Sequence, residues 1–198
     1  MIHLYIGDGA GKTTAAVGLA VRAAGRGKRV LFVQFLKDGT SGEIAVLRGV
    51  TNVTVLHAPV HYGFLSRMTA DQRQKTAAAC RDLLDAVRSS PGRADESRET
   101  GTGGARGTNV GADAAHNADS YKDTDAGLVV LDEVLHALDA GLVGREDLEP
   151  LLGRNWEIVL TGRAAPDWLI ERADYVSEVC KRKHPYDWGV RAREGVEF

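Results

Sequence analysis

The sequence predicts an α/β domain of three layers around a mainly parallel sheet. Short apolar runs at 2–6, 29–35, 53–57, 128–131, 157–160 and 175–179 alternate with helical patterns. Several runs are β-branched and apolar on both faces, as strands covered by helices on each side must be. The first run passes through a glycine loop straight into a helix, and strand–helix alternation of this kind sets strands in parallel.

Each element carries its own signal. Ile2-His3-Leu4-Tyr5-Ile6 is strand-sized and stops at Gly7, and a helical pattern follows over 13–24. The runs at 29–35 and 53–57 supply the second and third strands, and a polar helix spans 70–88. Leu128-Val129-Val130-Leu131 makes the fourth strand, followed by short helices at 133–140 and 145–152 and a fifth strand at 157–160. A last helix opens at Pro166, whose fixed φ suits a first helical position, before the final strand at 175–179. At 198 residues the chain has the length of one domain with an ample core. The stretch 89–127 breaks this pattern. It contains no Leu, Ile, Met, Phe or Trp, too little apolar surface to offset its ordering entropy, and is expected to be a disordered insertion.

Bulk composition excludes several partners. A net charge of −2 implies no strongly basic face, so nucleic acid is not expected. The longest apolar runs fall far short of a membrane span. Met1 leads into the first strand with no room for a signal peptide, which points to a cytoplasmic protein. Cys80 and Cys180 lie far apart without CxxC spacing and read as reduced, structural thiols.

The chemistry concentrates in Gly7-Asp8-Gly9-Ala10-Gly11-Lys12-Thr13-Thr14. Strand, glycine loop and helix form the context of a phosphate-binding loop, in which glycines let backbone N–H groups turn toward an anion. The helix N-terminus adds about half a positive charge, Lys12 a full one, and the Thr13 hydroxyl is placed to ligate Mg²⁺. A nucleoside triphosphate is the implied guest. The loop is one residue shorter than the usual phosphate-loop spacing.

A second landmark is Leu131-Asp132-Glu133, where an apolar strand ends in acids. Such a strand set next to the loop strand would bring a carboxylate to the metal; Asp132 and Glu133 are both candidates, directly or through water. Arg163, in Leu160-Thr161-Gly162-Arg163, sits at a strand's C-terminal end and reads either as a phosphate contact or as a surface arginine after a turn. By spacing alone Arg22 is a solvated or ion-paired arginine. His61-Tyr62-Gly63-Phe64 is an aromatic loop, either lining a flat apolar ligand or anchored in the core. The six histidines show no zinc-ligand spacing.

Taken together, these residues resemble the ATP:corrinoid adenosyltransferases of the phosphate-loop type. The resemblance covers 1–88 and 128–198 and rests on the short loop, Arg22-Ala23, Gly25, Gln34-Phe35-Leu36-Lys37, Gly42-Glu43, Leu131-Asp132-Glu133, Gly141-Leu142-Val143, Leu160-Thr161-Gly162-Arg163, Lys183-His184-Pro185 and the segment from Ala192 to Phe198. It implies a RecA-like fold, usually a homodimer, and a reaction in which a Co(I) corrinoid attacks the 5′ carbon of ATP and triphosphate leaves intact. It implies Mg²⁺ or Mn²⁺ as the metal, held by Thr13 with Glu133 or Asp132, and an external flavoprotein as electron source. It also implies that Lys12 and Thr13 stabilise charge rather than act as acid or base, that the loop binds ATP in reversed sense, and that Arg22 contacts phosphates. Aromatics matching the region of Tyr62, Phe64 and Met68 would meet the corrin ring.

Three departures accompany the resemblance. Ala10 stands where the family commonly has lysine, Ser66 where many members carry an aromatic residue, and the chain starts at the first strand. These keep two alternatives in view: a non-catalytic carrier of corrinoid or ATP, and a phosphotransferase on the same fold.

Overall fold

The protein is seen here as a computed structural model that describes residues 1–59, 61–90 and 127–196. Its strands are β1 (Ile2–Ile6), β2 (Val30–Gln34), β3 (Val53–His57), β4 (Leu128–Asp132), β5 (Glu157–Thr161) and β6 (Tyr175–Glu178). All pair in parallel, in the order β3-β2-β4-β5-β1-β6. The helices are α1 (Lys12–Ala24), α2 (Gly42–Arg48), α3 (Ala70–Ser89), α4 (Val134–Asp139), α5 (Arg145–Leu152) and α6 (Asp167–Ile170). The expected three-layer α/β fold is present. The expected insertion falls, from 91 to 126, outside the described residues, as do 197 and 198 at the end of the C-terminal motif.

Side-chain alternation along the strands divides the core in two. Leu31 and Val33 of β2, with Val129 and Leu131 of β4, face one layer, where they meet Leu84 and Val87 of α3 and Leu148 and Leu151 of α5. Val30, Phe32, Leu128 and Val130 face the other, with Ala16, Ala20 and Ala24 of α1 and Ile44 and Leu47 of α2. The alanines recur at four-residue spacing, so α1 presents a smooth stripe that lies close against the sheet. β2 and β4 are buried along their full length, whereas β6 is an exposed edge. α3 starts where it does because of a capping box: Thr69 Oγ1 accepts from the Gln72 N–H, and Gln72 Oε1 accepts from the Thr69 N–H.

Two expectations change. α2 was not foreseen, since its opening Gly42 is a poor helix former; burial of Ile44 and Leu47 one turn apart holds it. β1 and β4 are not neighbours, because β5 lies between them. The loop and the acid-bearing strand therefore communicate across a third strand, which contributes a side chain of its own to the junction. Of the cysteines, both free, Cys80 fits the structural reading: it is buried in α3, and burial pushes its thiol up to about 11. Cys180 is exposed.

Backbone contacts hold the phosphate loop from behind. The Gly7 N–H donates to the Arg163 carbonyl (2.8 Å), and the Gly9 N–H donates to the Val179 carbonyl (2.7 Å). Val179 in turn donates its N–H to the Ile6 carbonyl (2.8 Å). A Cβ on Gly9 would stand 2.7 Å from the Val179 carbonyl oxygen, and one on Gly7 would collide with the same atom. Both neighbours are backbone, so no rotamer change relieves the clash. Gly9→Ala is therefore expected to destabilise the protein by about 1–3 kcal/mol, as overpacking does. In a thermal melt this is a fall of roughly 2–4 °C per kcal/mol; an unchanged melting temperature would refute the anchoring role given to Val179.

Candidate active site

The C-terminal ends of the strands are where open parallel sheets place ligands. Here they open into a cleft of about 340 Å³ whose lining includes Asp8, Lys12, Leu36, Lys37, Phe64, Glu133, His136 and Arg163. Gly11 enters α1 at φ +113, a conformation reserved for glycine, and α1 has no side-chain cap. Among the described residues, the N–H groups of residues 10–14 make no backbone hydrogen bond. The loop thus divides its work. The amides of Gly7 and Gly9, which the sequence reading turns toward an anion, donate to carbonyls here, and both glycines pack closely against Val179. Those of Ala10 to Thr14 lie at the positive end of the helix, suited to an anion. Lys12 Nζ donates to the Gly9 carbonyl (2.8 Å), which folds the ammonium over the loop. Asp8 caps the outside: its carboxylate accepts from the Lys181 N–H (2.8 Å), which holds it below the usual carboxylate range.

Asp132 forms the floor of the junction and is fully buried. Its Oδ1 accepts from Thr13 Oγ1 and from Thr161 Oγ1, each at 2.8 Å. Thr161, at the end of β5, also accepts from the Glu133 N–H (2.8 Å). This is the side chain that the intervening strand contributes. Because Thr13 donates its proton to Asp132, its oxygen lone pairs remain free for a cation. Glu133 adopts φ +64, a left-handed turn that takes it off the line of β4. Asp132 is consequently sealed behind Thr13, while Glu133 lines the cleft with its carboxylate 3.4 Å from His136 Nδ1.

Beside Asp132 in register stands Gln34 of β2. Gln34 Nε2 donates to Ser41 Oγ (3.2 Å) and to Glu43 Oε1 (3.3 Å), and Ser41 Oγ donates to Glu43 Oε1 (2.9 Å). Lys37 Nζ lies 3.7 Å from Asp132 Oδ2 and 3.9 Å from Glu43 Oε1. Lys37, His136 and the Gln34–Ser41–Glu43 group were not among the candidate site residues. Lys37 had two available signals: it follows the C-terminal end of a strand, where the ligand edge lies, and it stands in the Gln34–Lys37 segment that carries part of the resemblance.

Of the expected residues, the structure brings Asp8, Lys12, Glu133, Arg163 and Phe64 to one cleft, with Thr13 and Asp132 bonded beside it. Ala10 and Thr14 are exposed on the loop and first turn. Arg22 does not join them. It sits in the last turn of α1, exposed, about 15 Å along the helix axis from Lys12, where its charge acts on Tyr5. Phe64 is 75% exposed with the Arg67 guanidinium 5.9 Å from its ring. Tyr62 and Met68 are not in the cleft lining. Met68 is turned back, its sulfur accepting from Thr76 Oγ1 of α3 at 3.6 Å, and Ser66 lies exposed in the single 3₁₀ turn that links them.

Comparison with known proteins bears on this arrangement. Residues 1–198 match the model of the ATP:corrinoid adenosyltransferase BtuR/CobO/CobP family. The chain is similar to the corrinoid adenosyltransferase of Pseudomonas aeruginosa, 31% identical over all of this chain and 83% of the relative. It is 28% identical to the corrinoid adenosyltransferase of Escherichia coli K12 and 27% identical to the corrinoid adenosyltransferase CobA of Salmonella typhimurium, in each case over all of this chain and 85% of the relative. A match along the whole chain, joined to a phosphate loop and a coupled acid at one sheet edge, places this protein in the ATP:corrinoid adenosyltransferase family, whose members are transferases.

Proposed function

We propose that the protein transfers the 5′-deoxyadenosyl group of ATP to the cobalt of a reduced Co(I) corrinoid and releases intact triphosphate. The observation that carries this reading is the composition of the cleft. Its lining offers Lys12 and Arg163, which with the unbonded amides of α1's first turn suit a polyphosphate, and an exposed aromatic ring, Phe64, which suits a flat, partly apolar macrocycle.

The donor set fits Mg²⁺. A threonine hydroxyl and the Glu133 carboxylate are hard oxygen ligands, and among the described residues no group of three acidic, histidine or cysteine side chains forms a self-sufficient metal cage. Such a pair suits an ion completed by phosphate oxygens and water. Bound there, Mg²⁺ would neutralise charge on the departing triphosphate. Glu133 and Thr13 are the direct ligands in this reading, and Asp132 holds the Thr13 hydroxyl from behind.

The chain has no proton to move in the bond-making step. Co(I) donates an electron pair to C5′, the C5′–O bond breaks, and its electron pair remains on the triphosphate oxygen. What the residues supply is alignment and charge stabilisation. The loop amides and α1 hold the triphosphate; Lys12 and Arg163 accept its growing charge; Phe64 stacks against the corrinoid and excludes water. The working unit in this reading is a homodimer in the cytoplasm, with Co(I) supplied by a flavoprotein. Among the described residues no helix is long and apolar enough to cross a membrane.

With ATP, Mg²⁺ and chemically reduced cobalamin, ³¹P NMR is expected to show triphosphate in step with adenosylcobalamin. ADP or orthophosphate as the product would support phosphoryl transfer instead, and a complex without turnover would support a carrier. Lys12→Ala is expected to lower kcat/KM for ATP by about 100-fold while leaving corrinoid affinity within about twofold. Equal loss of both would contradict the orientation proposed for the two substrates.

A further inference from the structure

Beyond the loop, the cleft contains a cation that the activity has not yet used. Lys37 lines it together with Lys12 and Arg163, and its side chain is 37% exposed. The ammonium lies 3.7 Å from Asp132 Oδ2 and 3.9 Å from Glu43 Oε1, both beyond hydrogen-bond length. Its three N–H donors therefore have no hydrogen-bonded acceptor among the described residues. Asp132 Oδ2 is likewise buried without a hydrogen-bond partner. The two are attracted but not joined, which is the arrangement of a cation held in place rather than consumed by an ion pair.

The backbone is bent to put it there. Leu36 adopts φ +56, a left-handed conformation that is unfavourable for a leucine. That turn follows the end of β2, and the residue after it reaches back over the end of β4. Strain of this kind persists where the surrounding structure enforces it. Here the neighbouring Phe35 N–H is fixed to the Asp132 carbonyl at 2.9 Å.

We propose that Lys37 is a phosphate-binding residue of this cleft, positioned by Asp132 and Glu43 to meet the triphosphate from the β2 side while Lys12 meets it from the loop. The need follows from charge. The loop segment 7–14 has one cation, Lys12, opposed by Asp8, and Glu133 adds a further negative charge to the same cleft. A triphosphate with one divalent ion still carries net negative charge, and a point cation on a flexible stem is suited to follow that charge as it shifts onto the leaving oxygen. The inference rests on the reading of the cleft as a triphosphate site.

The test is binding of inorganic triphosphate and of MgATP by calorimetry, without corrinoid, to the full chain and to Lys37→Met and Lys37→Arg. Lys37→Met, close in length and neutral, is expected to weaken both ligands about 10-fold, and Lys37→Arg to recover most of that loss. Melting temperatures are expected to stay within a few degrees of wild type and cobalamin binding to be unchanged. Unaltered triphosphate affinity in Lys37→Met overturns the proposal. So does a large fall in melting temperature without loss of affinity, the signature of a mere counterion to Asp132. A wild-type chain that binds no triphosphate refutes both this inference and the proposed reaction. One that binds it but forms no adenosylcobalamin refutes the reaction alone.

Discussion

Everything at the ligand edge is organised around one buried carboxylate. Asp132 has no exposed surface, and a carboxylate so placed is costly unless its oxygens are satisfied. Its Oδ1 draws in Thr13 from the first turn of α1 and Thr161 from the end of β5. Its Oδ2 faces the Lys37 ammonium from beyond β2, and its carbonyl accepts from Phe35. Three segments distant in sequence are thereby fixed to the end of β4 at the mouth of the phosphate loop. Although β5 separates β1 from β4, Asp132 bonds Thr13 directly, and Thr161 on the intervening strand donates to the same oxygen.

The loop depends on a second, purely backbone constraint. Its first two glycines are pressed against the chain leaving β6, so their missing side chains serve packing, and the amides of residues 10–14 have no backbone acceptor among the described residues. Gly7, at φ +115, and Gly11, at φ +113, are required for their own conformation as well. A loop anchored in this way cannot collapse onto its guest from the strand side. In the proposed reaction it presents a row of backbone donors, to which Lys12, Arg163 and Lys37 add positive charge. Oriented dipoles and placed cations suit a group that accumulates charge as it departs.

Much of this was legible in the sequence, because the signals were local. The strands lie within one or two residues of the apolar runs, since fully buried parallel strands are written as continuous hydrophobic segments. Lys12, Thr13, Asp132 and Glu133 followed from residue type and position at strand and helix ends. What escaped was non-local. α2 opens on glycine and is held by tertiary burial of Ile44 and Leu47. The insertion of β5 between β1 and β4 is a matter of topology, so the role of Thr161 had no linear signature. Lys37 reaches the site through a left-handed leucine that no propensity anticipates. Arg22 and Met68 lie apart from the cleft, since the fold sets one about 15 Å along α1 from Lys12 and turns the other back onto α3, and linear spacing holds no signal of either placement.

The central claim is that Asp132 acts on the metal through Thr13, and a double-mutant cycle tests it most directly. Mn²⁺ binding to the ATP complex can be followed by electron paramagnetic resonance in wild type, Thr13→Ala, Asp132→Ala and the double variant, with circular dichroism confirming that each is folded. If Asp132 serves to orient the Thr13 hydroxyl, the two losses are strongly non-additive, and adding Thr13→Ala to Asp132→Ala changes Mn²⁺ affinity little. Independent, additive losses would mean that Asp132 ligates the metal itself, and would contradict the account.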